Sequence, residues 1–151
     1  MKVEKLNVFM SSVSAFFSQV GEVLHEIDTP YLNENHSPIA YDYSGVISIT
    51  GPIRGSVYVS ATTMMLRDLL KALHEPEETI SLLKDLVGEI ANTVSGNART
   101  EFGADFIISP PTVIIGAPPA QYLPPNRRTY VIPFYWREHK AVIGICIWNA
   151  E

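Results

Sequence analysis

The stretch EETISLLKDLVGEIANTVSGNA, residues 77–98, decides how this chain is read. Projected at about 100° per residue, Ile80, Leu83, Val87, Ile90, Ala91, Val94 and Ala98 fall in one apolar stripe, which predicts a helix with that stripe against a core. Leu82, Asp85, Glu89, Asn92 and Gly96 fall within roughly 60° of the opposite pole, so Glu89 and Asn92 are expected to face solvent one turn apart. Helix propensity gives this open face no stability motive, since Asn is a poor interior former and Gly costs up to about 1 kcal/mol relative to Ala at an exposed site. Gly88 and Gly96 remove bulk, which would let another backbone approach, and Leu82 adds an apolar contact point. A second reading takes Glu89 and Asn92 as ordinary solvated residues and Gly96-Asn97 as a helix stop.

The pair sets a carboxylate acceptor beside a carboxamide that both donates and accepts, with centres about 5 to 6 Å apart. That suits holding a water or a lysine, not nucleophilic attack. The chain has no Ser-His-Asp or Cys-His ordering, no GxxxxGK[ST] loop and no GxGxxG turn.

Working outward, Leu6, Phe9, Val13, Phe16, Phe17, Val20 and Leu24 recur at helical steps and predict an amphipathic helix over 6–24. Residues 28–38, with Pro30, Asn33, Asn35 and Pro38, read as a loop. Strands are expected over 41–50 and 56–60, joined as a hairpin through Gly51-Pro52 and Gly55. A helix over 62–74 ends before Pro76. Downstream, 106–116, 129–136 and 141–148 are β-like, and the last two are separated by the polar turn Arg137-Glu138-His139-Lys140. Pro110-Pro111 should interrupt the first of these, because proline removes ladder donors. The stretch GAPPAQYLPPNRR is read as a stiff connector and Arg127-Arg128 as part of a solvated loop. Grouped helices and strands without βα alternation predict an α+β fold, long amphipathic helices on a mostly antiparallel sheet, in one domain over 1–151.

The chain has 151 residues, 46% hydrophobic and 18% charged, which is too apolar for disorder. No run reaches the roughly 18 apolar residues that a membrane-spanning helix needs. Residues 1–17, MKVEKLNVFMSSVSAFF, keep a helical period broken by Asn7, Ser11, Ser12 and Ser14, and read as a structural helix rather than a signal peptide. A net charge of −5 argues against a nucleic-acid partner. The lone Cys146, in an apolar strand-like run, fits a cytoplasmic protein. His25, His36, His74 and His139 show no metal-ligand spacing.

The run DLVGEIANTVSGNARTEFG, residues 85–103, resembles the helix signature of the CheC/CheX/FliY phosphatase family, an E-x-x-N core followed by a G-N pair, here Glu89, Asn92, Gly96 and Asn97. The following ISPPTVIIG, 108–116, is similar to the family's next strand, and the order of elements agrees over nearly the whole chain. The CheC branch carries two such helices. The segment NVFMSSVSAFFSQVGEVL has no Glu followed three residues later by Asn, so the resemblance favours the single-site CheX branch, whose members are homodimers. It implies a phosphatase acting on a phosphorylated response-regulator receiver of the CheY type. The residue matching Asn92 would orient a water for in-line attack, and the one matching Glu89 would engage a receiver lysine. Leu82, Asp85, Gly88 and Gly96 would line the docking face. No cofactor is implied in this chain, because the receiver supplies the Mg²⁺. The alternative on the same resemblance is a non-catalytic receiver-binding or scaffold module.

Overall fold

The computed structural model describes residues 3–34 and 37–150. In chain order it contains α1 (Val3–Gln19), β1 (Glu26–Ile27), β2 (Tyr31–Asn33), β3 (Tyr43–Thr50), β4 (Ile53–Ala61), α2 (Thr63–Ala72), α3 (Ile80–Phe102), β5 (Ile107–Ile108), β6 (Thr112–Ile115), β7 (Thr129–Trp136) and β8 (His139–Asn149). The strands form one sheet in the order β1-β7-β8-β4-β3-β5, with β2 beside β1 on β7 and β6 beside β5 on β3. Every pairing is antiparallel. The α+β expectation holds.

The sheet has apolar side chains on both faces. One face meets α1, α3 and α2 through Phe9, Phe17, Ile47, Val59, Leu66, Val87, Ile90 and Phe134. The other carries a smaller cluster, Val46, Tyr58, Val131 and Val142, against which Ile39, Tyr41, Ile114, Tyr122 and Leu123 pack. The connectors 37–42 and 116–128 therefore cover this second face. Tyr58 and Gly144 stand opposite one another on β4 and β8, and a Cβ at Gly144 would lie 1.9 Å from the Tyr58 ring. The ring occupies the space that glycine leaves, and its hydroxyl donates to the Ile39 carbonyl at 2.8 Å.

Several boundaries shift from expectation for identifiable reasons. Helix α1 ends at Gln19 and not near Leu24, because Gly21 adopts φ 79°. Glu22 N then donates to Phe17 O at 2.8 Å and Gly21 N to Ser18 O at 3.1 Å, the paired bonds of a Schellman stop. The 28–38 loop contains β2, a three-residue strand too short to show periodicity, while Asn35 and His36 lie outside the described residues. Strand β4 begins at Ile53, earlier than expected, and β8 begins at His139, which shortens the last turn to Arg137-Glu138. The 106–116 run divides into β5 and β6 at Ser109–Pro111, as the two prolines require, and Ser109 bridges the gap by bonding Ser48 through both N–H and Oγ. Pro133 lies inside β7 at the point where the edge partner changes from β1 to β2, so its missing N–H faces a gap in the ladder.

Helix α3 lies over β3. A Cβ at Gly45 would stand 2.6 Å from Val87 O and 3.1 Å from Ala91 Cβ, so a glycine on the strand and an alanine on the helix bring the two backbones unusually close. The flank of α3 meets β6 in the same manner, since a Cβ at Gly88 would lie 3.1 Å from Val113 Cγ2. Gly45→Ala forces backbone against backbone and is expected to lower stability by about 1–3 kcal/mol in a denaturant titration.

Candidate functional site

Helix α3 is 23 residues long, or about 34 Å at the usual rise. Thr79 caps its start by accepting from Leu82 N at 3.2 Å, and Gly103, at φ 88°, closes its end with its N–H on Arg99 O at 2.8 Å. The helix is held on three sides. Leu83, Val87, Ile90, Ala91, Val94 and Ala98 are buried against the sheet. Asn97 reaches α1, donating to Ser12 O at 3.4 Å, and Phe102 packs on Phe9 with ring centroids 5.7 Å apart. Gly88 turns toward β6.

What remains open is the fourth side. Asp85, Glu89 and Asn92 are exposed on it. Glu89 accepts a long hydrogen bond, 3.4 Å, from the Thr93 hydroxyl. The Asn92 side chain has no hydrogen-bond partner among the described residues, so all its donor and acceptor capacity is free for water or a ligand. Leu82 is half-buried, with part of its side chain on the core cluster. Ile80 departs from the projected stripe. It is the first residue of the helix and is 61% exposed, although Leu83 three residues on is buried.

The two glycines separate in role. Gly88, expected on the docking face, is buried, and its missing side chain is taken up inside the molecule by Val113 and Pro111. Gly96 differs, for a Cβ there would meet nothing within 4 Å. Gly96-Asn97 is also no helix stop, because α3 continues to Phe102. A glycine in the interior of a helix, on its open face and with nothing packed against it, weakens the helix without serving the fold.

Starting α1 at Val3 brings a second Glu-x-x-Asn onto a helix, Glu4 and Asn7, both exposed, with Glu4 ahead of the segment 7–24 and Asn7 its first residue. The rest of the pattern is missing there. Ser11 and Ser12 stand where α3 has Gly96 and Asn97, and Ser12 is buried with its hydroxyl donating to Val8 O at 2.7 Å. Only α3 carries the full set.

Neither the thiol nor the concavity beside the proline-rich connector offers an alternative to this face. Cys146 is fully buried on β8, and burial raises its thiol pKa, so it offers no ready thiolate for a cysteine-phosphatase route. A concavity of about 560 Å³ lies beside the proline-rich connector, lined among others by Leu32, Pro118, Leu123 and Arg128. Its carboxylate and carboxamides, Glu34, Asn33 and Asn126, lie on a short strand and loops, not one turn apart on a packed helix as on α3. Arg127, exposed as expected, lies over the Trp148 ring at 4.4 Å.

Comparison with known proteins places the fold. The family model described as chemotaxis phosphatase CheX matches residues 43–135, a span that includes all of α3. No curated protein matches the chain in sequence. Among solved structures, a CheC-like superfamily protein from Shewanella sp. PV-4 is similar with a TM-score of 0.81 and 24% identity, over 99% of this chain and 100% of that one. A putative chemotaxis protein from Desulfovibrio vulgaris Hildenborough gives 0.79 and 25% identity, over 97% of each chain. The CheX of Borrelia burgdorferi, solved as a CheX–CheY–BeF₃–Mg²⁺ complex, gives 0.76 and 18% identity, over 98% of this chain and 100% of that one. No helix of this chain is long and apolar enough to cross a membrane.

Two measurements test the assignments of Gly96 and Cys146. Gly96→Ala is expected to raise stability by about 0.5–1 kcal/mol in chemical denaturation, since the added methyl clashes with nothing and restricts the unfolded chain. Cys146 is expected to resist a maleimide reagent in native buffer at mildly alkaline pH and to react at once in denaturant, as read by mass spectrometry.

Proposed function

Because the chain belongs to the chemotaxis phosphatase CheX family, we propose that it hydrolyses the aspartyl phosphate of a CheY-type receiver with the open face of α3. The observation that carries this reading is the free carboxamide of Asn92, exposed one turn from Glu89 on a helix fixed along its other sides. In-line hydrolysis needs a water held opposite the carboxylate leaving group. Attack by that water forms a new P–O bond, the bond from phosphorus to the aspartyl oxygen breaks, and inorganic phosphate and a free aspartate result. An amide cannot take a proton near neutral pH, so Asn92 orients the water by accepting from it or donating to it.

Glu89 is assigned to the receiver's lysine. A carboxylate exposed to solvent has little reason to act as a base, whereas it forms a charge-assisted bond to an ammonium group readily. The Thr93 hydroxyl biases the rotamer from which it does so. The Mg²⁺ that offsets charge on the phosphoryl oxygens belongs to the receiver in this reading, and α3 contributes only two polar groups. Phosphoryl transfer tolerates so short a list, because its acceleration comes chiefly from positioning and from charge already in place. Gly96 fits the same reading by keeping the helix low where the receiver backbone would lie. Asp85 and the exposed part of Leu82 extend the contact toward the start of α3. A cytoplasmic homodimer, as in the family resemblance, is part of the proposal, and sedimentation of the purified chain tests the dimer.

Asn92→Ala is expected to reduce the acceleration of receiver dephosphorylation about a hundredfold or more while leaving the melting temperature unchanged. The assay is phosphate release from a phosphorylated receiver with catalytic amounts of the protein. Unchanged turnover in that variant removes the assignment. Retention of the phosphorylated receiver by the unaltered chain without faster release makes it a binding module.

A further inference from the structure

A second group of chemically active side chains lies away from the α3 face. Asp68 on α2 and Glu138 and His139 at the β7–β8 turn bring two carboxylate oxygens and one imidazole nitrogen within 4.8 Å of one another. His139 Nε2 stands 2.6 Å from Asp68 Oδ2. Linear spacing hides this cluster, because Asp68 and His139 are 71 positions apart and meet only when α2 packs against the end of the sheet.

The imidazole is held in place. His139 is 8% exposed and stacks on Trp136, with ring centroids 6.0 Å apart and 26° between the planes. Its Nε2 edge therefore faces the gap between the helix and the hairpin. The neighbouring cation is drawn away from the cluster: Arg137 lies over the Trp136 ring at 4.3 Å and pairs with Glu22 at 3.3 Å. Glu138 is exposed and has no ion-pair partner among the described residues. Two carboxylates thus converge on one imidazole with no lysine or arginine neutralising them.

We propose that Asp68, Glu138 and His139 form a binding site for a divalent transition metal of the zinc type, with water completing the coordination. One imidazole nitrogen and two carboxylate oxygens are a donor set that zinc accepts at about 2.0–2.2 Å. The ion takes the place of the direct contact between His139 Nε2 and Asp68 Oδ2. Two bonds of about 2.1 Å meeting at one ion require donor atoms about 3.0–3.4 Å apart, so the present 2.6 Å opens by less than 1 Å. The half-buried Asp68 side chain can supply that movement by rotating. The same donor set disfavours Mg²⁺, which holds water tightly and prefers oxygen ligands. A bound ion would tie α2 to the β7–β8 hairpin, one connector away from the start of α3.

The test is calorimetric titration of chelator-stripped protein with Zn²⁺ and, separately, with Mg²⁺. One Zn²⁺ per chain is expected, together with Mg²⁺ binding at least a hundredfold weaker. Glu138→Gln changes an exposed turn residue and is expected to keep the fold while weakening Zn²⁺ at least about tenfold. Asp68→Asn should do the same. A second readout needs no variant to fold: imidazole ¹H–¹⁵N spectra of the unaltered protein should show Zn²⁺ perturbing His139 first. Absence of saturable Zn²⁺ uptake overturns the site. So does uptake that Glu138→Gln leaves unchanged, or perturbation of another histidine in place of His139.

Discussion

The approach of α3 to β3 is the contact on which the rest of the molecule depends. Gly45 has no side chain, and Val87 O stands 2.6 Å from where its Cβ would be, with the Ala91 methyl close behind. This sets the height of the helix above the sheet. At that height the valine and isoleucine stripe reaches the core, Gly88 comes under Val113 of β6, and Phe102 meets Phe9 of α1. Each neighbour closes one side of the helix. The open face is the side that none of them reaches, and Glu89 and Asn92 are displayed there because the other sides are already occupied.

A rigid helix is a suitable mount for such a pair. Side chains on the exposed face of a packed helix lose few degrees of freedom on meeting a partner, since the backbone that carries them is already fixed. The arrangement also differs from a pocket enzyme. A pocket surrounds a small substrate, whereas in the proposed function a convex helix is brought to a phosphoryl group carried by another protein. That fits a chain in which the thiol is buried and the exposed groups suited to the chemistry are a carboxylate and an amide.

Much of this was legible before the fold was known. The 3.6-residue period identified α3 and its open face, alternating β-branched residues identified both long hairpins, and Pro110-Pro111 located the break between β5 and β6. The losses have local causes. Ile80 continues the apolar period, but burial depends on what other elements place against it, which periodicity does not encode. Gly96-Asn97 has the composition of a helix stop, yet the following residues still bury Ala98 and half-bury Phe102, and this packing carries the helix on to Gly103. Gly88 and Gly96 are alike in sequence and opposite in surroundings, because only β6 distinguishes them. The meeting of Asp68 with His139 was hidden for the same reason: it belongs to packing between elements, and no single element records it.

The order of strands has a consequence for how quickly the native state can be reached. The hairpins β3–β4 and β7–β8 join neighbours in the chain, but the central pairing, β4 with β8, sets Ile53 against Asn149 and Ser60 against Val142. More than half of the chain, residues 61–141 with α2, α3 and the proline-rich connector, lies within that closed loop. Closing it late and across such a separation makes the topology slow to form, with two preformed hairpins awaiting each other's edges. Until they join, β4 and β8 each present an apolar edge to solvent, and the interval before closure is when this chain is most exposed to pairing with another copy of itself.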